Sequence, residues 1–145
     1  MKKIALMLIA IIAPAMTLAG CATEAVLPSK AKVAPPERIY LFQNKTSEQN
    51  SKLIVVRDSG YLGSGCYTGV YINGQRAAIL DPAEKASFYL KPGEVSVGVK
   101  GEGKVCVSDA VASMRDFNLT PNGEKAVRLF ADPSGNVDIK PLPNE

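Results

Sequence analysis

The side chains of this chain that are best suited to covalent chemistry are three cysteines, Cys21, Cys66 and Cys106. The chain has 145 residues and no histidine, so the usual general base and the commonest metal ligand are both missing. Ser-His-Asp, Cys-His and histidine-based zinc sites are therefore excluded. Catalysis would depend on carboxylates or lysine alone, and we predict no catalytic residue, no metal and no cofactor.

The first of these cysteines closes the pattern Leu18-Ala19-Gly20-Cys21, which is a lipobox. Lys2 and Lys3 are followed by an apolar run over 4–12, which suits a signal peptide but is too short to span a bilayer. In a bacterial lipoprotein the sulfur of such a cysteine receives a diacylglycerol, and cleavage then makes the cysteine the first residue. We therefore predict cleavage before Cys21 and acyl chains on its sulfur.

This cleavage site divides the chain into three segments. Residues 1–20 are the predicted signal peptide, residues 21–37 a lipidated tether, and residues 38–145 one folded domain. The tether contains prolines and lysines without a sustained apolar period, so we expect it to be extended and mobile. A domain of this size can bury one hydrophobic core.

The residue after Cys21 carries information about localisation. It is Ala22, whereas an aspartate at this position typically retains Gram-negative lipoproteins in the inner membrane. Because this chain lacks that aspartate, its resemblance to Gram-negative lipoproteins implies the outer membrane. Several acyl chains, at roughly 0.8 kcal/mol per buried CH₂, make an effectively permanent anchor. We expect a lipid-anchored protein that faces the periplasm.

The charge of the chain argues against a nucleic-acid partner. Residues 1–20 hold two of the 17 Lys and Arg and none of the 14 Asp and Glu, so cleavage lowers the formal charge from +3 to +1. A net charge this close to zero does not indicate a basic patch that would bind nucleic acid or another anionic surface. Glu84 beside Asp81, or Glu102, could act as acid and base, but their turn-like surroundings favour solvated loop charges.

Short runs of β-branched and aromatic residues alternate with turn signals along the domain. Asn73-Gly74 predicts a tight hairpin between strands at 67–72 and 76–80. Val95, Val97 and Val99 alternate with polar or small residues, which predicts a half-buried strand. Further strands are predicted at 38–42, 53–56, 87–90, 114–119, 127–129 and 137–139, and a short apolar run at 105–107 leads into a less regular stretch. About eight to nine short strands indicate an all-β protein, either an antiparallel β-sandwich or a small open barrel.

The central part of this strand pattern resembles a known family. Val70 to Gln75 reads Val-Tyr-Ile-Asn-Gly-Gln, and Phe88 to Val97 reads Phe-Tyr-Leu-Lys-Pro-Gly-Glu-Val-Ser-Val. This order is similar to that of PEGA-type surface domains and of small proteobacterial envelope lipoproteins of unknown function. The usual Thr-Pro before the aromatic strand is missing, and Asp81-Pro82 lies further away instead. The resemblance implies a small β-sandwich at the bacterial surface.

The two cysteines of the mature chain that acylation leaves available are Cys66 and Cys106. Exported thiols meet an oxidising periplasm, and these two are forty positions apart without neighbouring metal ligands, so we predict that they form a disulfide. The alternative is two buried free thiols. A bridge would also favour a Gram-negative envelope.

The glycine-rich stretch from Asp58 to Gly65 precedes the first of these cysteines. It is either a wide connection in which glycines supply positive φ angles, or a contact loop that presents Tyr61 and Leu62 to a partner. These two side chains could also fold back to plug one end of the sandwich. We expect an accessory or structural protein-interaction module that binds an envelope protein, and a module that binds peptidoglycan or another glycan is the alternative.

Overall fold

The computed structural model describes residues 23–60, 65–103, 113–134 and 136–143. Within these residues the chain forms β-strands and one short 3-10 turn, Pro36–Arg38. The strands are β1 (Lys32–Val33), β2 (Ser51–Arg57), β3 (Tyr67–Ile72), β4 (Gln75–Leu80), β5 (Glu84–Leu90), β6 (Gly93–Glu102), β7 (Ser113–Leu119), β8 (Glu124–Ala131) and β9 (Val137–Leu142). None of the described residues belongs to a helix of the length and apolarity needed to cross a bilayer.

The strands form two sheets, which confirms the all-β sandwich of about nine strands. One sheet has the order β1-β5-β2-β8-β9, and the other has the order β4-β3-β6-β7. The second sheet is antiparallel throughout, but β1 pairs with β5 in parallel and β2 pairs with β8 in parallel. Two strand pairs are thus parallel in a sandwich that is otherwise antiparallel, as expected. Parallel neighbours need a long crossover connection, and here the whole four-stranded sheet lies in the chain between β2 and β8.

The hydrophobic core lies between the two sheets, as the alternation in β6 predicts. Val95, Val97 and Val99 are all at most 2% exposed, and Phe88 of the facing sheet is fully buried. The hairpin between β3 and β4 is also confirmed, since Asn73 and Gly74 have φ angles of 49° and 80°. These angles belong to the left-handed region that tight hairpin turns require.

The expected strand over Arg38–Phe42 is wrong. Ile39 makes an isolated bridge with Ala78 of β4, and Phe42 accepts a backbone hydrogen bond from Tyr89 of β5. Phe42 has a φ of 61°, so the chain turns there and cannot continue along either strand. This segment therefore connects the edges of the two sheets on one side of the sandwich.

An ion pair links the sheets on the other side. Arg115 of β7 lies 2.9 Å from the carboxylate of Asp138 on β9, and Ser113 donates a hydrogen bond of 3.2 Å to the same carboxylate. Burial raises the pKa of Asp138, but hydrogen bonds from the Ile139 N–H, Arg115 and Ser113 outweigh that effect and lower it. These contacts oppose separation of β7 from β9.

The segment before Arg38 is packed on the domain, which corrects the expectation of a mobile tether over 21–37 for residues 23–37. Ala31 and Ala34 are buried, and β1 pairs with the start of β5. Glu24 and Ser59 exchange two backbone hydrogen bonds of 2.9 and 3.0 Å. Backbone pairing and the burial of these two alanines thus hold a segment that lacks a sustained apolar period.

A buried ion pair between Asp58 and Arg128 holds Thr23, the first described residue, against the domain. Asp58 is 1% exposed at its side chain, and both of its oxygens bind the guanidinium of Arg128. Thr23 donates a hydrogen bond of 2.8 Å to Asp58 through its hydroxyl, and that hydroxyl accepts one of 2.9 Å from the Ala131 N–H. The N-terminal segment is thereby attached to the ends of both β2 and β8.

Replacing Asp58 with alanine is expected to lower the free energy of unfolding by about 3 kcal/mol, because breaking a buried pair leaves its partner uncompensated. The value is at the low end of the usual range because Arg128 keeps 23% of its side chain exposed. Urea denaturation of the mature domain measures this loss. Glu48→Ala is the control, since Glu48 pairs with Lys91 while 75% exposed, and its effect should stay within about 0.5 kcal/mol.

Candidate functional site

Most of the predicted site residues lie outside the residues that the structure describes. These are the lipidation site Cys21, the contact candidates Tyr61 and Leu62, and the second bridge cysteine Cys106. Cys66 is described, immediately before β3, and it is disulfide-bonded. The alternative of a free thiol at Cys66 is therefore wrong, while its pairing with Cys106 stays a prediction.

Two of the carboxylates that could have served as acid and base, Glu84 and Glu102, are not solvated loop charges, whereas the side chain of Asp81 is 44% exposed. Glu84 is 5% exposed and accepts two hydrogen bonds from Arg38, of 2.8 and 2.9 Å. The hydrogen bond with Glu84 raises the pKa of Arg38, although burial opposes it. Glu84 also accepts the backbone N–H of Asp81 at 2.8 Å, so its oxygens hold the turn between β4 and β5.

Arg57 is a second buried charge at the same end of the sandwich. Its guanidinium donates to the carbonyl oxygens of Cys66 and Leu80, both at 2.8 Å. Burial lowers the pKa of Arg57 below its ordinary value, while the charges of Asp81 and Glu84 act in the opposite direction. Arg57 therefore connects the end of β2 with the four-stranded sheet.

The outer surface of the four-stranded sheet carries the most distinctive side chains among the described residues. Tyr67 and Tyr71 alternate along β3 with the buried Val70, so both tyrosines point away from the core. Glu102 of β6 pairs with Tyr67 and shares this outer surface. With two neighbouring side chains, these residues form the surface that we call the tyrosine face, namely Tyr40, Tyr67, Tyr71, Arg76 and Glu102.

Glu102 organises the tyrosine face. Its carboxylate lies 2.6 Å from the guanidinium of Arg76 and accepts a hydrogen bond of 3.0 Å from the hydroxyl of Tyr71. A Cβ on Gly69 would collide with this carboxylate, so the glycine leaves the space that Glu102 occupies. Burial, followed by the hydrogen bond to Glu102, raises the pKa of Tyr71. Three side chains from three strands are thus held in one arrangement.

Two tyrosine rings of this face remain open to a partner. Tyr40 is 44% exposed and Tyr67 is 43% exposed. Arg76 lies 5.1 Å from the ring centre of Tyr40, and Arg38 lies 5.4 Å from that of Tyr67. Each arginine restricts its ring by a cation–π contact. The rings therefore present apolar area that is already partly ordered.

The tyrosine face extends across the sheet towards an exposed methionine. Met114 of β7 is 52% exposed, and it lies in the same row as Tyr71 because both pair with Gly98 of β6. Gly98 has no side chain, so it leaves a shallow depression between Tyr71 and Met114. Exposed tyrosine, arginine and methionine together have the composition that is enriched in protein–protein interfaces.

Sequence patterns did not identify the tyrosine face. Arg76 lies opposite Tyr71 because a bulge in the β3–β4 pairing shifts the register, and Tyr40 is brought beside β4 by its backbone hydrogen bond to Ala77. The one local signal was the pair of glycines at 69 and 98, which lie opposite large side chains.

The described residues thus provide one ordered aromatic surface, one disulfide-bonded cysteine and a set of arginine–carboxylate pairs. Among them no group of three or more potential metal ligands is found. No protein-family model, no curated protein and no solved structure matches the chain, and its resemblance to PEGA-type domains stays a prediction.

Proposed function

We propose that this chain is an outer-membrane lipoprotein, anchored through acyl chains on Cys21, whose domain serves as a non-catalytic accessory or structural protein-interaction module of the envelope. The domain faces the periplasm in this proposal. The anchor is supported by the lipobox and the charged leader. The interaction module is supported by one observation above all, the exposed and ordered tyrosine face.

The tyrosine face fits a protein partner for two physical reasons. Tyrosine offers a large contact area with few rotatable bonds, and arginine is also common among residues that contribute most to binding. Side chains that are already held lose less conformational entropy when a partner binds. Arg76 and Tyr71 are held by Glu102, and Tyr40 is held by Arg76.

A glycan is the second candidate partner, because exposed tyrosine rings can also stack on sugars. This alternative is weaker on chemical grounds. Sugar hydroxyls need carboxylate oxygens or other polar atoms that can bind them, whereas Glu102 already binds both Arg76 and Tyr71. The two candidates predict different cross-linked products.

Photo-crosslinking amino acids at positions 40 and 67 test the proposed function in intact cells. We expect a discrete protein-containing product from both positions and none from Lys91, which is 70% exposed and lies at the far end of β5. A product whose digest contains peptides of a second protein by mass spectrometry identifies a protein partner, and one whose gel mobility changes after muramidase treatment identifies peptidoglycan. Equal products from all three positions would contradict a role for the tyrosine face.

A double substitution, Tyr40→Ser with Tyr67→Ser, is expected to eliminate recovery of that partner after chemical crosslinking in intact envelopes. Because both rings are exposed over more than two fifths of their surface, the melting temperature should change little. A second double variant, Glu48→Ser with Lys91→Ser, removes two exposed side chains elsewhere and should retain the partner. Loss of the partner in both variants, or in neither, would count against the proposal.

A further inference from the structure

At one end of the sandwich the N-terminal segment is attached to the domain through Thr23. At this end β2 and β8 finish and β1, β5 and β9 begin; we call it the Thr23 end. The opposite end holds Ser51 and Leu90, which pair with each other. A seven-residue strand spans about 20 Å, so the two ends are separated by roughly that distance.

Thr23 is held firmly against the domain. Its backbone N–H donates to Ala131 at 3.1 Å, its hydroxyl contacts Asp58 at 2.8 Å, and Glu24 beside it pairs with Ser59. These contacts join the segment to the ends of both β2 and β8. The domain therefore cannot move away from this point of its own chain without breaking them.

Covalent geometry then limits the distance to the acylated residue. Cys21 precedes Thr23 by two residues, and two residues span at most about 7 Å. A free segment over 22–37 would instead separate the domain from the membrane by an r.m.s. distance of about 20 Å. Since the segment is docked from Thr23 onward, the Thr23 end must stay beside the bilayer that holds the acyl chains.

The composition of the Thr23 end suits this position. Leu27, Val33 and Val137 are 46%, 62% and 38% exposed, and all three lie in the docked segment or at the start of β9. Lys30 and Lys32 are exposed between the first two. Exposed apolar side chains with lysines nearby are suited to a lipid interface, where the ammonium groups reach the headgroups.

We propose that the Thr23 end rests on the headgroup layer of a phospholipid bilayer, through Leu27, Val33 and Val137, and that the tyrosine face consequently stands upright along the membrane normal. This inference rests on the proposed acylation of Cys21. It assigns a membrane-contacting surface to the domain itself, in addition to the acyl chains. A partner of the tyrosine face would then be bound close to the membrane.

Quenching by lipids tests the proposal. Full-length protein purified from the cell envelope carries one fluorophore, at Ser134 in the hairpin of the Thr23 end or at Lys91 at the opposite end, and is placed in phosphatidylethanolamine–phosphatidylglycerol vesicles with nitroxide headgroups. Both positions are exposed, so melting temperatures should match the unlabelled protein. Quenching by iodide in the water phase corrects for differences in label accessibility.

We expect quenching at Ser134 to exceed that at Lys91 by at least about threefold, because roughly 20 Å separates the two ends. Equal quenching, or stronger quenching at Lys91, in protein that floats with the vesicles would overturn the inference while leaving the anchor intact. Failure to float with the vesicles would instead refute the acylation itself, and with it both proposals.

Discussion

Replacing Cys21 with serine should abolish acylation and leave unprocessed precursor. In the proposed modification the cysteine sulfur is the nucleophile that receives the diacylglyceryl group as a thioether, and a thiolate is a far stronger nucleophile than a serine hydroxyl. The effect is therefore all-or-none rather than graded. Incorporation of labelled fatty acid and the gel mobility of the precursor measure it directly.

Ala22→Ser is the matched control for this experiment. It introduces the same residue type one position later and leaves the sulfur of Cys21 in place, so labelling and processing should be retained. If the Cys21→Ser protein still incorporates fatty acid, the acyl chains are attached elsewhere and the anchor assignment is wrong.

Loss of the predicted bridge between Cys66 and Cys106 should lower the free energy of unfolding by about 4 kcal/mol, on chain-entropy grounds for a loop of some forty residues. Cys66 is disulfide-bonded, as one end of such a loop must be. Guanidinium denaturation of the exported protein, with alanine at either or both positions, measures the loss. Mass spectrometry of the unreduced digest should show one peptide pair that joins the two cysteines.

The two single substitutions and the double substitution provide the decisive comparison. If Cys66 and Cys106 share one bridge, each single variant removes it completely, so all three variants should lose nearly the same free energy. Additive losses would show that the two sites are energetically independent. Alkylation of Cys106 in the unreduced native protein would equally rule the pairing out.

The cysteines could be recognised from the sequence, whereas the surroundings of two carboxylates could not. Cys21 is predicted as a lipidation site from its immediate neighbours alone, because the enzymes that modify and cleave lipoproteins recognise a short linear pattern. Glu84 and Glu102 were misjudged from their neighbours, because their partners Arg38 and Arg76 lie 46 and 26 positions away in the chain. Burial of a carboxylate depends on such distant partners, and local composition does not reveal them.

The sequence by itself determined the features that depend on short-range physics. A two-residue alternation places Val95, Val97 and Val99 on one side of a strand, and Asn73-Gly74 supplies the positive φ angles of a hairpin. Both were confirmed, and with them the all-β class. The prediction of an extended, mobile tether is wrong over residues 23–37, because composition reports the local preference of a segment and not the surface against which it can pack.

Only the tertiary structure decided which strands became neighbours and which side chains met. The parallel pairing of β2 with β8 brings Asp58 next to Arg128 and creates the site that captures Thr23, 108 residues before Ala131. The β3–β4 bulge and the β3–β6 register likewise place Arg76, Tyr71 and Glu102 together. Contacts between residues so far apart form only when the whole core is buried at once, because only that burial offsets the entropy lost in ordering the chain between them.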